Sequence, residues 1–293
     1  MRLVIIANPV AGGGRAYRSI RDYVQRWNPP GWDVEIRETQ RPEHAGAIAE
    51  ELTASLPDLV GICGGDGTIN EVASRLAQPP FPIAILPAGT ANVVAREFRI
   101  PLNPVRALDA ALKGVVRRVD LGELNAGRRR FLFVAGIGFD AFVVAGVNPG
   151  LKKRIGIAAY AAAIVSCLRS YSFPEFQVVV DERTYTATSC LACNAKKYGG
   201  GLLFCPGADM SDGLFDVILL EGGRRLALGY FLLQAWLGKA ATHDWVHRLK
   251  ARALRIDGGA GVLVQADGEL SGALPVEISL IDKAFPLVVP VKP

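Results

Sequence analysis

Leu59-Val60-Gly61-Ile62-Cys63 runs directly into Gly64-Gly65-Asp66-Gly67-Thr68. The first five residues are apolar and read as a buried strand, and Thr68–Leu76 reads as a short helix. Between them, three glycines let the backbone approach a polyphosphate closely and reach positive φ where needed. The helix that follows turns its free N–H groups and positive dipole end toward such an anion. An aspartate in that loop would repel phosphate unless a divalent cation stands between them. Asp66 therefore reads as a magnesium-linked or catalytic carboxylate. The plainer alternative is an ordinary strand-to-helix turn with Asp66 as a helix cap.

Outward from this stretch the pattern alternates. Leu3–Asn8, Trp32–Thr39 and Ile83–Leu86 read as further strands. Arg15–Trp27, Glu43–Ser55 and Thr90–Phe98 read as helices. Strands separated by helices imply a parallel sheet with helices on its faces and its ligand crevice beyond the carboxyl ends of the strands. Two more glycine-bearing turns fall at such ends: Asn8-Pro9 with Gly12-Gly13-Gly14, and Pro87-Ala88-Gly89-Thr90-Ala91-Asn92. With the Gly64 turn they make a nucleotide-sized cradle. None fits G-x-x-x-x-G-K-[ST] or G-x-G-x-x-G, which disfavours the Walker-type and dinucleotide-type readings.

Beyond about Arg117 the pattern changes. Arg130–Ala135, Gln177–Val180, Thr184–Cys193, Phe215–Leu220, Leu254–Ile256 and Val262–Gln265 read as strands. Phe139–Ala145, Leu151–Tyr171 and Arg224–Leu237 read as helices. The expected organisation is thus an α/β nucleotide-binding domain over residues 1–120 and a β-rich, antiparallel sandwich-like domain over 121–293. The length of 293 residues suits two domains.

The net charge of +5 fits an anionic partner such as a nucleotide or acidic bilayer but is too small to argue for nucleic acid. Five cysteines, with one C-x-x-C at Cys190 and Cys193, read as buried thiols and not as a disulfide framework or zinc site. His243 and His247, placed on a helix-like stretch, read as a solvated face. The longest apolar run, Ile155 to Leu168, falls short of the roughly 20 residues that span a bilayer. Leu3 to Ala7 is too short for a signal-peptide core, so a cytoplasmic protein is expected. The apolar helix Leu151–Tyr171, preceded by Lys152-Lys153-Arg154, reads as core or the wall of a lipid pocket, with peripheral contact at the inner membrane face the competing reading.

The ordered motif set resembles the diacylglycerol kinase catalytic family, which includes sphingosine-type and other bacterial lipid kinases. It comprises Asn8-Pro9-x-x-Gly12, Gly64-Gly65-Asp66-Gly67-Thr68-x-Asn70-Glu71-Val72, Pro87-x-Gly89-Thr90-x-Asn92, and Gly136-x-Gly138-Phe139-Asp140-Ala141. Asn194 with Gly199-Gly200-Gly201, Pro206-x-Ala208, Asp212-Gly213 and Asp267-Gly268-Glu269 complete it. The resemblance implies an ATP site in the cleft between a Rossmann-like half and a β-rich half. It assigns nucleotide contacts to Asn8, Pro9, Gly12, Thr39, Gly64, Gly65, Asp66, Gly67, Thr68, Asn70, Gly89, Thr90 and Asn92. It also implies a Mg2+ site from Asp209, Asp212 and the carbonyl of Leu214, where a tight Asp-x-x-Asp-Gly turn can aim hard oxygens inward, though a plain acidic turn has the same sequence.

The implied base lies in Asp267-Gly268-Glu269, with Glu269 preferred and Asp267 the alternative. A lipid hydroxyl must lose its proton as it attacks the γ-phosphorus. Asp-Gly is also the commonest short hairpin signal. The chain departs from the family at Val93, where many members carry Asp. That departure motivates an alternative reading as a catalytically lapsed nucleotide- or lipid-binding regulator. NAD kinase shares the Gly64 block but not the rest of the set. The resemblance leaves the lipid unidentified and is compatible with a homodimer.

Overall fold

The structure, a computed structural model, describes residues 1–26, 31–147, 157–198, 201–239 and 242–291. Lys152-Lys153-Arg154, the start of the Leu151–Tyr171 helix, and Gly199-Gly200 lie outside the described residues. The chain divides into two units: Met1–Val119 with Lys283–Pro293, and Asp120–Asp282. The expected partition at residue 120 did not include this return of the chain's end to the first unit.

In the first unit, β1 (Arg2–Ala7), β2 (Asp33–Glu38), β3 (Leu59–Gly64) and β4 (Ile83–Pro87) form a parallel sheet in the order β2-β1-β3-β4. Helices α1 (Arg15–Arg26), α2 (His44–Leu52), α3 (Asp66–Arg75), α4 (Val93–Glu97) and α5 (Pro104–Ala111) connect them or follow them. Every residue of β3 and β4 is buried, which accounts for apolar runs without alternation. Helix α5 was not expected, yet its start carries a signal: Asn103 Oδ1 accepts the N–H groups of Val105 and Arg106, and Pro104 opens the helix.

Strand β5 (Val115–Leu124) leads into the second unit, where it pairs antiparallel with β6 (Arg129–Phe131). There β7 (Val134–Gly138) and β10 (Ser189–Cys193) pair antiparallel, and β10 pairs in turn with β13 (Phe215–Leu220). The six-stranded sheet runs β14-β13-β10-β7-β16-β17, with β14 at Val246–Ala251, β16 at Leu263–Ala266 and β17 at Glu269–Ala273. A second antiparallel set pairs the first part of β18 (Val276–Val289) with β15 (Ala253–Asp257), then β8 (Phe176–Val180), then β9 (Arg183–Ala187). A short separate ribbon pairs β11 (Lys197–Tyr198) with β12 (Leu202–Leu203).

Alternation along β10 and β13 shows how these strands face two cores. Cys190, Ala192, Phe215, Val217 and Leu219 pack with Ile256 and Ile278 between the sheets. Leu191, Cys193, Ile218 and Leu220 pack on the opposite face against α6 (Phe139–Gly146), α7 (Ile157–Ser170) and α8 (Arg225–Trp236). Strands covered on both faces read as unbroken apolar runs. The arrangement also separates Cys190 from Cys193, and all five cysteines are free and buried. The expected helix around His243 and His247 is a strand at His247: β14 pairs with β13 along its whole length. His247 meets Glu221, while His243 stacks on Trp245.

Candidate active site

Within the first unit the three strand-ending turns interlock. Asn8 Nδ2 donates to Thr68 Oγ1 at 3.3 Å, and Asn8 Oδ1 accepts the Val10 N–H at 3.1 Å. A Cβ on Gly12, whose φ is +56°, would stand 2.3 Å from the Ala88 carbonyl oxygen. A Cβ on Gly89 would stand 2.8 Å from Gly65 Cα. Glycine here is thus a condition for bringing the turns together. Asn92 holds the third turn by a reciprocal pair with Gly89, accepting its N–H at 2.9 Å and donating to its carbonyl at 2.8 Å. Thr39 is tied to the sheet by its N–H on Ala7. Gly67 and Thr90 are exposed, Gly65 and Asp66 half-buried, and Thr68 and Asn70 buried.

Asp66 does not cap its own helix; Gly65 holds the N-cap position of α3. The Asp66 carboxylate instead reaches the next turn, where its Oδ1 accepts the Val93 N–H at 2.8 Å at the start of α4. Burial pushes this carboxyl above its ordinary range, opposed by backbone N–H bonds from Val93, Val94 and Asn92. The contact uses the backbone of residue 93, so the Val93 side chain costs it nothing. Glu71 of the same motif serves α2, where its Oε2 accepts the Ala45 N–H at 3.0 Å.

In the second unit Asp267-Gly268 forms the two-residue turn between β16 and β17, with both residues at positive φ (49° and 83°). That is the type I′ geometry Asp-Gly favours. The two carboxylates of the motif part company here. Asp267 turns inward: Oδ2 accepts the Leu132 N–H at 2.6 Å, and Oδ1 accepts those of Phe133 and Val134, each at 2.9 Å. Burial raises its carboxyl to about 7, against three backbone donors that favour the ionised form. Glu269 turns outward, more than half exposed, and pairs with the Arg129 guanidinium.

Gln265, one turn-width away and fully buried, was not singled out from sequence. Its Oε1 accepts the Gly268 N–H at 2.7 Å, and its Nε2 donates to Asp140 Oδ2 at 2.5 Å. Asp140 is thereby linked to the hairpin, and burial raises its carboxyl to about 7. Gly136 is the signal that could have revealed this link, since a Cβ there would lie 2.0 Å from Asp140 Oδ2.

Asp209, Asp212 and Leu214 share one turn, as their spacing requires. Asp209 Oδ1 accepts the Ser211 N–H and hydroxyl, and Asp212 Oδ1 accepts the Leu214 N–H. The second Asp212 oxygen meets the Lys250 ammonium at 2.7 Å, and Lys250 also lies 3.4 Å from Asp216. Buried Asp120, absent from the expected set, accepts the Gly213 N–H at 2.8 Å. Among the described residues no three acidic or metal-ligating side chains gather round one point. The Lys250 ammonium takes one Asp212 oxygen of the expected Mg2+ set, and the Oδ1 atoms of Asp209 and Asp212 are held by the turn's own N–H groups.

An apolar cavity borders Asp140. Val143, Ile164, Leu202 and Phe231 wall it, and Asp140, Tyr198 and Ser189 supply its polar atoms. A second cavity of ≈ 390 Å³ shares Phe139, Ser189, Leu220 and Leu228 with it and reaches Thr188, Glu221 and Arg224. From the described part of the 151–171 segment, Ile164 lines the first cavity and Tyr171 the second.

Comparison with known proteins adds two domain matches. The diacylglycerol kinase catalytic domain matches residues 2–124, and the YegS C-terminal NAD kinase beta sandwich-like domain matches residues 134–290. A diacylglycerol kinase of Mycobacterium tuberculosis is 31% identical over 296 residues, spanning 99% of this chain and 95% of its own length. One from Staphylococcus saprophyticus is 27% identical over 94% of this chain and 90% of its own. A solved structure from Bacillus anthracis strain Sterne matches with TM-score 0.81 and 24% identity, over 98% of this chain and 95% of its own. The Rossmann-like parallel sheet followed by an antiparallel β-rich unit is thus a shared fold.

Proposed function

Because the chain belongs to the diacylglycerol kinase family, we propose that it transfers the γ-phosphoryl group of ATP to the hydroxyl of a lipid alcohol, diacylglycerol or a close relative. The observation that carries this reading is the interlocked trio of turns, in which Asn8 bonds Thr68 and Asp66 accepts the Val93 N–H. The turns at Asn8–Gly14, Gly64–Thr68 and Gly89–Asn92 are assigned to the triphosphate, with Thr39 and Asn70 as flanking contacts. Mg2+ is assigned to the nucleotide itself, arriving with the triphosphate, where it neutralises phosphate charge. Asp66, pushed up by burial, is the carboxylate assigned beside that charge.

In the second unit Glu269 is assigned as base. It takes the proton of the lipid hydroxyl while the oxygen bonds to the γ-phosphorus and the bridging bond to ADP breaks. Asp267 is assigned a positioning role, since both of its oxygens are spent on the amides of residues 132–134. The paired apolar cavities suit acyl chains, with Asp140 and Ser189 near the glycerol end.

The test is direct. Purified protein with Mg2+, γ-labelled ATP and a panel of diacylglycerol, monoacylglycerol, phosphatidylglycerol and sphingoid lipids should give one phosphorylated lipid, identified by mass. Transfer to no member of the panel, with ATP bound normally, would refute the assignment.

A further inference from the structure

Helix α8 has no polar face. Its inward residues Leu228, Phe231 and Ala235 are buried in the second unit's helix-side core. A helix apolar all round is ordinarily enclosed on every side. This one is not. Leu226, Tyr230, Leu233 and Leu237 recur at intervals of four, three and four residues, so they fall on one stripe opposite the buried set. Leu226 is 91% and Trp236 70% exposed, and Tyr230, Leu233 and Leu237 about half.

The charge on the helix and at its two ends is positive, with Glu221 and Asp244 lying just beyond. Arg224 and Arg225 precede it and Lys239 follows it, all exposed, and no acidic residue occurs from Gly222 to His243. An apolar stripe with an aromatic at its end and cations at both ends matches an anionic bilayer surface. It does not match a protein partner that would need acidic side chains set at both helix ends. We propose that the outer face of α8 docks the protein on an anionic membrane, with Leu226, Leu233 and Trp236 entering the headgroup–acyl boundary. The inner face of the same helix, through Leu228, Phe231 and Leu232, walls the apolar cavity. Docking would thus set that wall at the depth where lipid tails begin.

The experiment is co-sedimentation of the full chain with vesicles, without nucleotide. Binding to phosphatidylglycerol vesicles should exceed binding to phosphatidylcholine vesicles at least severalfold and weaken with salt. The double substitution Leu226→Gln with Trp236→Gln should lower vesicle affinity at least tenfold while leaving the far-UV spectrum unchanged, because both side chains are exposed. Turnover of a water-soluble short-chain acceptor should be unaffected. The docking proposal is overturned by equal vesicle binding of parent and variant, or by no binding of either. It is equally overturned if the substitution disperses a stable dimer and vesicle binding is absent. Vesicle binding is read without ATP, so failure of the kinase assignment would leave this result standing, and the reverse.

Discussion

At the scale of single residues, two carboxylates separated by one glycine have opposite circumstances. Asp267 holds three backbone N–H groups in the interior, while Glu269 meets solvent and Arg129. Glu269→Gln should therefore lower kcat by roughly 10²–10⁴ with little change in melting temperature. Asp267→Asn should do the converse: it sets an amide against donors and costs about 1–3 kcal/mol of stability. Kinetics and thermal melts on both variants check the pair; a stable, inactive Asp267→Asn would reverse the roles. Asp140 offers a second prediction. Burial raises its carboxyl from an ordinary 3.8 to about 7, so between those values the folded state binds the extra proton. Its contribution to stability is therefore greatest below about pH 4, falls as pH rises to 7, and is level above. Against Asp140→Asn, the parent should lose melting temperature across that window, and parallel curves for the two would refute the assignment.

At the scale of elements, the turns do what their glycines require, and this can be separated from simple strain. Gly12 and Gly13 both have positive φ, but only at Gly12 does a Cβ meet a neighbour, the Ala88 oxygen at 2.3 Å. Gly12→Ala should raise the KM for ATP about tenfold, whereas Gly13→Ala should carry the backbone strain of order 1 kcal/mol with a smaller effect on KM. Equal KM values would mean that the contact between turns does not shape the nucleotide site. These turns were legible because strand, glycines and helix follow one another in sequence. The Asp66 contact was not, because its partner is a backbone N–H 27 residues on, and no side-chain pattern records it. The helix expected at His243 and His247 failed for a related reason: spacing of four suggested a helix face, but pairing with β13 determines the strand. The choice between Asp267 and Glu269 also lay beyond sequence, since Asp-Gly announces the hairpin without saying which carboxylate faces inward. At the acidic turn the missing information was Lys250, distant in sequence from Asp212 and joined to it only by the pairing of β13 with β14. Lys250→Met should lower the melting temperature modestly, as the pair is partly exposed, and millimolar Mg2+ should restore it in the variant but not shift the parent. A Mg2+-dependent rise in the parent would return the turn to the role its spacing suggested.

At the scale of the whole molecule, the chain's end is part of the first unit. Strand β18 begins in the second unit, and its last residues lie in the first, where Leu287 pairs in parallel with Ile83 of β4. Phe285, Leu287 and Val288 are buried there, and Gly114 admits them closely: a Cβ on it would stand 2.6 Å from Val288 Cγ1. Removing residues 283–293 strips three large side chains from that core. At roughly 1.5–3 kcal/mol each, the loss is about 5 kcal/mol or more. A domain holds only some 5–15 kcal/mol in total, so the first unit should unfold. The second unit should persist, because its sandwich and helix-side cores are built from residues within 120–282. Limited proteolysis of the truncated chain should then leave a protected fragment starting near Asp120, with ATP binding lost. The milder Phe285→Ala, which leaves the strand pairing in place, should lower the melting temperature of the ATP-binding unit by several degrees. ATP binding by the truncated chain at parental affinity would show that the first unit closes without its last strand, and the division of the molecule would then follow chain order after all.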